Sequence, residues 1–459
     1  MKIVLLSPKG PLYRHRGGIF KKNLRYAPLT LTTLASLVPP EVSTDLQIVD
    51  EGIQDVDLDL DADLIGITVI TGTAVRAYEL SDHFRARGIA VVLGGVHVTL
   101  VPDDAAPHAD AIVVGYAEET WPELLRDFAA GRMRARYNQS PGLKLENLPF
   151  ARRDMVQRHA YITTNVFEAT RGCVHRCEFC VVPSAWGLKP YQKPVQDVAA
   201  DIEQYLRGRW PRKLIFIDLN LIADTAYAAR LFEALIPLHV KWFGLSTTLL
   251  AKDKPLLELA ARSGCTGLLM GFESLTPANL KQSHKGFNSP GEYRDLVELL
   301  HRYGITLMAC FTFGMDYDTP EVFMQTAQFA VDAHIDLPRF AIVTPFPGTT
   351  LYRRLESEGR ILTRNWELYD GQHVVFRPAR MSAAEVYAGH ERAWKYTYSA
   401  SSISKRLAGS RLKTPLDMAL WLITNTGYRF YAHHLRDFYN CDWMIGQQPL
   451  REKREQLVA

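Results

Sequence analysis

The chain has 459 residues, 47% of them hydrophobic and 22% charged, with a formal net charge of +3. That length accommodates two or three domains with substantial cores. The near-neutral charge excludes wholesale nucleic-acid binding, and no run of about 18 apolar residues offers a membrane span. The start, MKIVLLSPKG, is one short apolar strand running into proline and lysine rather than a signal peptide, and free thiols fit a reducing compartment, so a cytoplasmic location is expected.

In chain order, the first candidate strands are KIVLLS, DLQIVDEG, DLIGITVI, AVVLGG and DAIVVG. Amphipathic stretches such as AVRAYELSDHFRARG and EETWPELLRDFAAG fall between them. Near-continuous apolar strands alternating with helices predict an α/β domain over residues 1–135, a Rossmann-like doubly wound parallel sheet. Residues 136–158 are polar and rich in arginine and read as a linker. Alternation resumes over 159–375 with NVFEAT, KLIFIDLN, VKWFGLST, TGLLMGFE, ITLMACFTFG and DLPRFAIVTP. Six strand–helix units predict an open, partial (β/α)6 TIM-like barrel, whose functional residues belong at the carboxyl ends of the strands. Residues 376–459 read as a C-terminal helical domain whose aromatics, at helical spacing, pack against the barrel.

The chemistry concentrates after the first barrel strand. Cys173, Cys177 and Cys180 are spaced C-x3-C-x2-C in ATRGCVHRCEFCVVPSAWG. Three thiolates in one tight loop hold three corners of a cubane iron–sulfur cluster and leave the fourth iron open for chemistry. Zinc, with His175 as a fourth ligand, and a disulfide are the alternatives. Structural zinc usually draws on two separated ligand pairs, and a disulfide leaves one of the three cysteines over. Cys265, Cys310 and Cys441 stand singly in apolar surroundings, as small buried hydrophobes do.

Two other patterns carry less. Asp55, Asp57, Asp59, Asp61 and Asp63 alternate like a calcium loop, but Leu60 and Gly66 stand where an EF-hand needs glycine and glutamate. A basic loop carries Lys9, Arg14, Arg16, Lys21, Lys22 and Arg25. It reads as solvated, with contact to a phosphate or carboxylate as the alternative.

The cysteine motif, with Phe179 just before its third member, resembles that of the radical S-adenosylmethionine superfamily. The resemblance covers residues 160–375. It implies a 4Fe–4S cluster whose open iron chelates S-adenosyl-L-methionine, cleaved on reduction to a 5′-deoxyadenosyl radical. It places Phe179 near the adenine and Asp218 and Asn220, in IDLNLIAD, near the methionyl amine. Glu273, in GFES, falls on the ribose hydroxyls. Gly314, in FTFGMD, and Pro345, in TPFPGT, fall around the adenine. The glycine-rich form of the element at Asp218 is absent here. No side chain is assigned as a catalytic group.

The N-terminal region, with LGGVHVTLVPDDAAPHADAIVVGYAEETW, resembles the cobalamin-binding domain fused to one class of these enzymes. The resemblance implies that Thr71, Gly94, Gly95 and Gly115 line the strand ends, where small residues let a nucleotide tail approach the backbone. The loop Tyr13-Arg14-His15-Arg16-Gly17-Gly18 departs from the D-x-H-x-x-G pattern. Tyrosine replaces the aspartate that would orient the imidazole, so His15 is not expected to ligate cobalt. The stretch VGYAEE departs from the Gly-Glu that relatives usually carry before the acidic pair, and Tyr116 is expected to narrow that pocket.

Together the resemblances imply cobalamin-dependent methylation of an unactivated carbon in a small-molecule substrate. One S-adenosylmethionine supplies the methyl group through cobalamin, and a second supplies the radical. A flavodoxin or ferredoxin would supply electrons. Cyclisation, rearrangement or oxidation without methyl transfer is the alternative within the class, and a non-catalytic iron–sulfur protein the alternative outside it. The aromatic C-terminal region fits a hydrophobic substrate. Tyr369, Asp370, Gln372 and His373, in WELYDGQHVVF, are candidates to close its pocket.

Overall fold

The computed structural model describes residues 1–10, 26–161, 163–410 and 415–435. Most of the basic loop, His15 and Cys441 lie outside the described residues. Two compact units emerge: residues 1–164 with Asn365–Asp370, and Asn165–Arg364 with the described chain from Gly371 onward.

The first unit is a parallel sheet between two helical layers. Its strands are β1 (Lys2–Ser7), β2 (Asp45–Asp50), β3 (Leu64–Thr68), β4 (Ala90–Gly94), β5 (Ala111–Val114) and β6 (Arg136–Asn138). They run in the order β2-β1-β3-β4-β5-β6. The helices are α1 (Leu29–Ser36), α2 (Ala74–Ala86), α3 (Val96–Leu100), α4 (Pro102–Ala105) and α5 (Thr120–Ala129). Period-2 alternation splits each buried strand between two cores. Val4, Leu6, Ile65 and Ile67 meet Ala77, Leu80 and Phe84 of α2. Ile3, Leu5, Leu64 and Val92 meet Leu31 of α1 and Trp121 and Leu124 of α5. β6 falls in the span read as a linker. It is a three-residue edge strand paired with β5, and its one buried side chain, Tyr137, anchors it.

The second unit begins with β7 (Val166–Phe167), β8 (Thr170–Arg171), α6 (Val181–Trp186), β9 (Tyr191–Gln192) and α7 (Val195–Leu206). It continues through β10 (Lys213–Phe216), α8 (Thr225–Leu235), β11 (Lys241–Ser246), α9 (Lys254–Arg262), β12 (Cys265–Glu273), α10 (Pro277–Gln282), α11 (Tyr293–Arg302), β13 (Thr306–Phe313), α12 (Val322–Asp332), β14 (Arg339–Ile342) and α13 (Thr350–Ser357). The parallel sheet runs β14-β13-β12-β11-β10-β7, open between its first and last strands. This is the partial TIM-like barrel the alternation predicts. Then come α14 (Ala383–Thr397), α15 (Ala400–Gly409) and α16 (Pro415–His433). Val386, Ala393, Trp394 and Tyr398 of α14 share one core with the barrel helices and strands. Among the described residues, no helix is long and apolar enough to cross a membrane.

Candidate functional site

The cysteine loop is closed by β8 and β9, where Arg171 pairs with Tyr191. Cys173, Cys177 and Cys180 are free and half-buried within it. Cys180 caps α6, and its N–H donates to Cys177 O at 3.1 Å. Burial raises the Cys177 thiol and pushes Cys180 up to about 12. A bound metal ion or cluster would favour the thiolates against that burial. Among the described residues, no three His, Cys, Asp or Glu side chains gather as a single metal ion would need. Tetrahedral zinc would hold its thiolates roughly 3.8 Å apart. A cubane seats each thiolate on a different iron and spaces them wider. His175 stacks on Phe287, with ring centroids 4.3 Å apart.

Two groups flank the thiols. Asn220 Nδ2 reaches Cys173 Sγ at 3.7 Å. Its Oδ1 is buried without a hydrogen-bond partner, an acceptor awaiting a donor. Glu273 ends β12 at φ 63°, a left-handed conformation that costs a non-glycine residue about 1–3 kcal/mol and persists only where its surroundings hold it. Lys285 Nζ donates to Glu273 Oε1 at 2.5 Å, and Thr312 Oγ1 donates to Oε2 at 2.8 Å. A Cβ at Gly271 would fall 2.6 Å from Lys285 Nζ and closer still to Glu273 Oε1, so this ion pair needs glycine there. Burial alone pulls Lys285 down. Glu273 and the Cys177 and Cys180 sulfurs outweigh it and hold the ammonium above its ordinary value. Lys285 was not singled out from the sequence. Nothing local separates it from the exposed Lys281.

Phe179 packs on a small apolar cluster of Met315, Val343, Leu351, Leu355 and Phe376. Gly314 adjoins it, its open Cβ direction 3.8 Å from the Phe376 ring. Asp318 Oδ2 accepts from the N–H groups of Gly314 and Met315 at 2.9 and 3.0 Å. Pro345 is buried just beyond Val343. The structure therefore brings Phe179 and Gly314 to one apolar shelf, with Pro345 two residues beyond its member Val343.

Asp218 departs from its expected place. It is 1% exposed, and its carboxylate turns back to accept from the N–H of Ala169 at 3.1 Å, from Thr170 Oγ1 at 2.8 Å and from Thr170 N–H. It braces the lead-in to the cysteine loop. Burial and the neighbouring Glu168 push it up to about 7. The group around residue 370 is also divided. Tyr369 belongs to the first unit, buried edge-on against Trp366 at 4.9 Å, and Asp370 lies beside it in the same unit. Gln372 and His373 belong to the second unit and are buried there, with Gln372 Oε1 accepting from Tyr431 OH at 3.0 Å.

In the first unit, Thr71, Gly94, Gly95 and Gly115 all stand at carboxyl ends of strands. A Cβ on Gly95, at φ 107°, would lie 2.7 Å from Val69 O, so its glycine serves the chain's own close packing. Gln139, beyond β6, fills the Cβ direction of Gly115, and its Oε1 accepts from Tyr116 N–H at 2.8 Å. Thr71 Oγ1 lies 3.3 Å from His97 Nδ1. His97 is fully buried, with Nε2 3.1 Å from Tyr78 OH and 3.3 Å from Asp104 Oδ2. At Gly94, Gly95 and Gly115 the Cβ directions meet Val113, Val69 and Gln139 of the chain itself, so the small residues at these strand ends serve internal packing.

Comparison with known proteins gives three matched segments. Residues 167–330 match the family model described as the radical SAM superfamily, residues 37–125 the B12 binding domain, and residues 349–452 a domain of unknown function. Bacteriochlorophyllide d C-12(1)-methyltransferase of Chlorobaculum tepidum is 32% identical over 358 residues, covering 76% of this chain and 78% of the relative. Bacteriochlorophyllide d C-8(2)-methyltransferase of the same organism is 32% identical over 368 residues, covering 77% and 81%. The solved structure of TsrM from Kitasatospora setae, a radical S-adenosylmethionine methyltransferase with cobalamin and a 4Fe–4S cluster bound, superposes with a TM-score of 0.65. It covers 95% of this chain and 99% of that one at 17% identity, a likeness of fold.

Proposed function

Because the chain belongs to the cobalamin-binding class of the radical S-adenosylmethionine superfamily, we propose that it methylates an unactivated carbon of a large, mainly apolar small molecule. It is an enzyme whose cofactors are a 4Fe–4S cluster, S-adenosylmethionine and cobalamin. The observation that carries the reading is the 32% identity to a methyltransferase across 78% of that relative's length.

Bound together, these cofactors supply an electron, a carbon-centred radical and a methyl group. The chain's own residues bind, orient and exclude water. Cys173, Cys177 and Cys180 would hold the cluster, with reducing electrons from a flavodoxin- or ferredoxin-like donor. Asn220 Oδ1 offers an acceptor to an amine, and the Lys285 ammonium is the cation that a carboxylate beside the thiols would meet. Glu273, pinned by Lys285 and Thr312, presents a carboxylate to ribose hydroxyls. The shelf of Phe179 and Gly314, with Pro345 near it, would take an adenine face. The strand ends at Thr71, Gly94, Gly95 and Gly115 would take the nucleotide tail of cobalamin.

The barrel lining supports an apolar substrate. On β13, Leu307, Ala309, Phe311 and Phe313 are buried against the helices. Met308 and Cys310 alternate with them and stay half-buried, as do Phe243, Leu245 and Leu269 on β11 and β12. A half-buried apolar face is one that a ligand can finish covering. Bacteriochlorophyllide d is the first substrate to try, since two relatives carry its name.

The test is an anaerobic reaction of reconstituted, reduced enzyme with S-adenosylmethionine, cobalamin and that substrate. S-adenosylhomocysteine and 5′-deoxyadenosine should appear together with a methylated product. Deoxyadenosine without S-adenosylhomocysteine would overturn methyl transfer. Cys177→Ala should lose the cluster and both products.

A further inference from the structure

Strands β7 and β14 lie at opposite edges of the barrel sheet, yet the cysteine loop that follows β7 is fastened to the helix that follows β14. The contacts converge on Glu178, between Cys177 and Cys180. Its N–H donates to Ser283 O at 3.1 Å, and its carbonyl accepts from Leu351 N–H at 3.0 Å. Its buried carboxylate accepts from Arg354 Nε at 2.5 Å and from Nη2 at 3.5 Å. Arg354 Nη1 donates onward to Asp316 Oδ2 at 2.7 Å. Asp316 also accepts from Arg360 Nη2 at 2.7 Å and from Gln282 Nε2 at 2.8 Å. One guanidinium on α13 thus joins the cysteine loop to the turn after β13, and Asp316 extends the network to Gln282 at the end of α10.

Residues 172–180 carry no helix or strand of their own. Backbone bonds such as those of Glu178, together with side-chain contacts, must therefore supply the order that three ligands of one cluster require, against the entropy of a free loop. A charge-assisted fork between arginine and carboxylate is the strongest directional contact available for that purpose.

We propose that Glu178 and Arg354 form a clasp that positions the cluster-bearing loop and sets how tightly the cluster is retained. Both act through the loop, so they are positioning residues. The reading is independent of which substrate the enzyme takes.

The test uses full-length reconstituted protein and follows the rate at which a ferrous chelator bleaches the cluster's visible absorbance. Glu178→Gln and Arg354→Gln should each release iron about tenfold faster, the usual worth of one charge-assisted hydrogen bond. The double variant should be no faster than the faster single, because both remove one contact. Arg364→Gln, which removes an exposed guanidinium that meets Glu356 at 2.8 Å and Tyr352 but not Glu178, should behave as wild type. The melting temperature of cluster-free protein should stay within a few degrees. Unchanged release, additive singles, or release that merely tracks lost melting temperature would each overturn the clasp. If Glu178→Gln does not fold, Arg354→Lys decides. It keeps the charge and loses the fork, so release between wild type and Arg354→Gln supports the clasp, and wild-type release overturns it.

Discussion

Asp218 sets a pH dependence that one substitution isolates. Burial and the charge of Glu168, itself held ionised against burial by Arg171 and Lys193, raise its carboxyl to about 7. A carboxyl raised above its unfolded value of 3.8 contributes stability that is full below about pH 4 and lost as pH rises through about 7. The contribution is about 4 kcal/mol at most. Asp218→Asn keeps an oxygen for the Ala169 and Thr170 donors and does not titrate. Its melting temperature should therefore change less than wild type's between pH 5 and 8, and parallel profiles would refute the assignment. At Glu273 the pairing is the issue. Lys285→Met strands a buried carboxylate and should cost about 3–5 kcal/mol in denaturant unfolding. Adding Glu273→Gln should recover most of that, and a double variant no better than the single would show that the charge is not the cause. These residues also mark what a sequence discloses. Cys173, Cys177 and Cys180 are legible because ligation fixes their spacing along the chain. Lys285 and Arg354 are not, because their partners, Glu273 and Glu178, are 12 and 176 residues away and only the fold joins them.

At the scale of elements, the long buried strands were readable and the edges were not. β12 and β13 are apolar runs bounded by turns, and parallel strands covered by helices take that form. β6 pairs only through Arg136, Tyr137 and Asn138, two of them polar, so its strand character comes from β5 rather than from its own side chains. The aromatics of α14 and α16 likewise show helical spacing without showing their partner. Trp394 Nε1 donates to Phe340 O on β14 at 3.2 Å, and Trp421 Nε1 donates to Asp336 Oδ1 at 3.2 Å. The turn from β4 into α3 is the most exacting local element. Gly95→Ala brings a Cβ within 2.8 Å of two Val69 backbone atoms at φ 107°. It should cost about 3 kcal/mol or more. Cobalamin retention after gel filtration should fall with it, whereas Gly142→Ala, outside that site and with a Cβ that would meet Ser140 Oγ at an ordinary 3.6 Å, should retain both. Equal losses in the two variants would separate cobalamin binding from this turn.

At the scale of the whole molecule, each unit holds its own core. The first unit packs both faces of its sheet with α1, α2 and α5. The second runs a single core from Phe167 through Trp242 and Phe311 to Trp394. Separate cores predict separate unfolding transitions. Ligands that bind only the native state then raise the transition of the unit that holds them. Calorimetry of the cluster-loaded protein should show two components. Hydroxocobalamin at about 100 times its Kd should raise only one of them, by roughly 2.7 kcal/mol of stability. For a unit of this size that is roughly 5–10 °C. Extracting the cluster with a chelator should lower the other component, because the cysteine loop loses the group that orders it. Glu178→Gln should shift that same component in loaded protein and leave the cobalamin-responsive one in place. A single transition that moves as one under both treatments would mean that the two cores melt together.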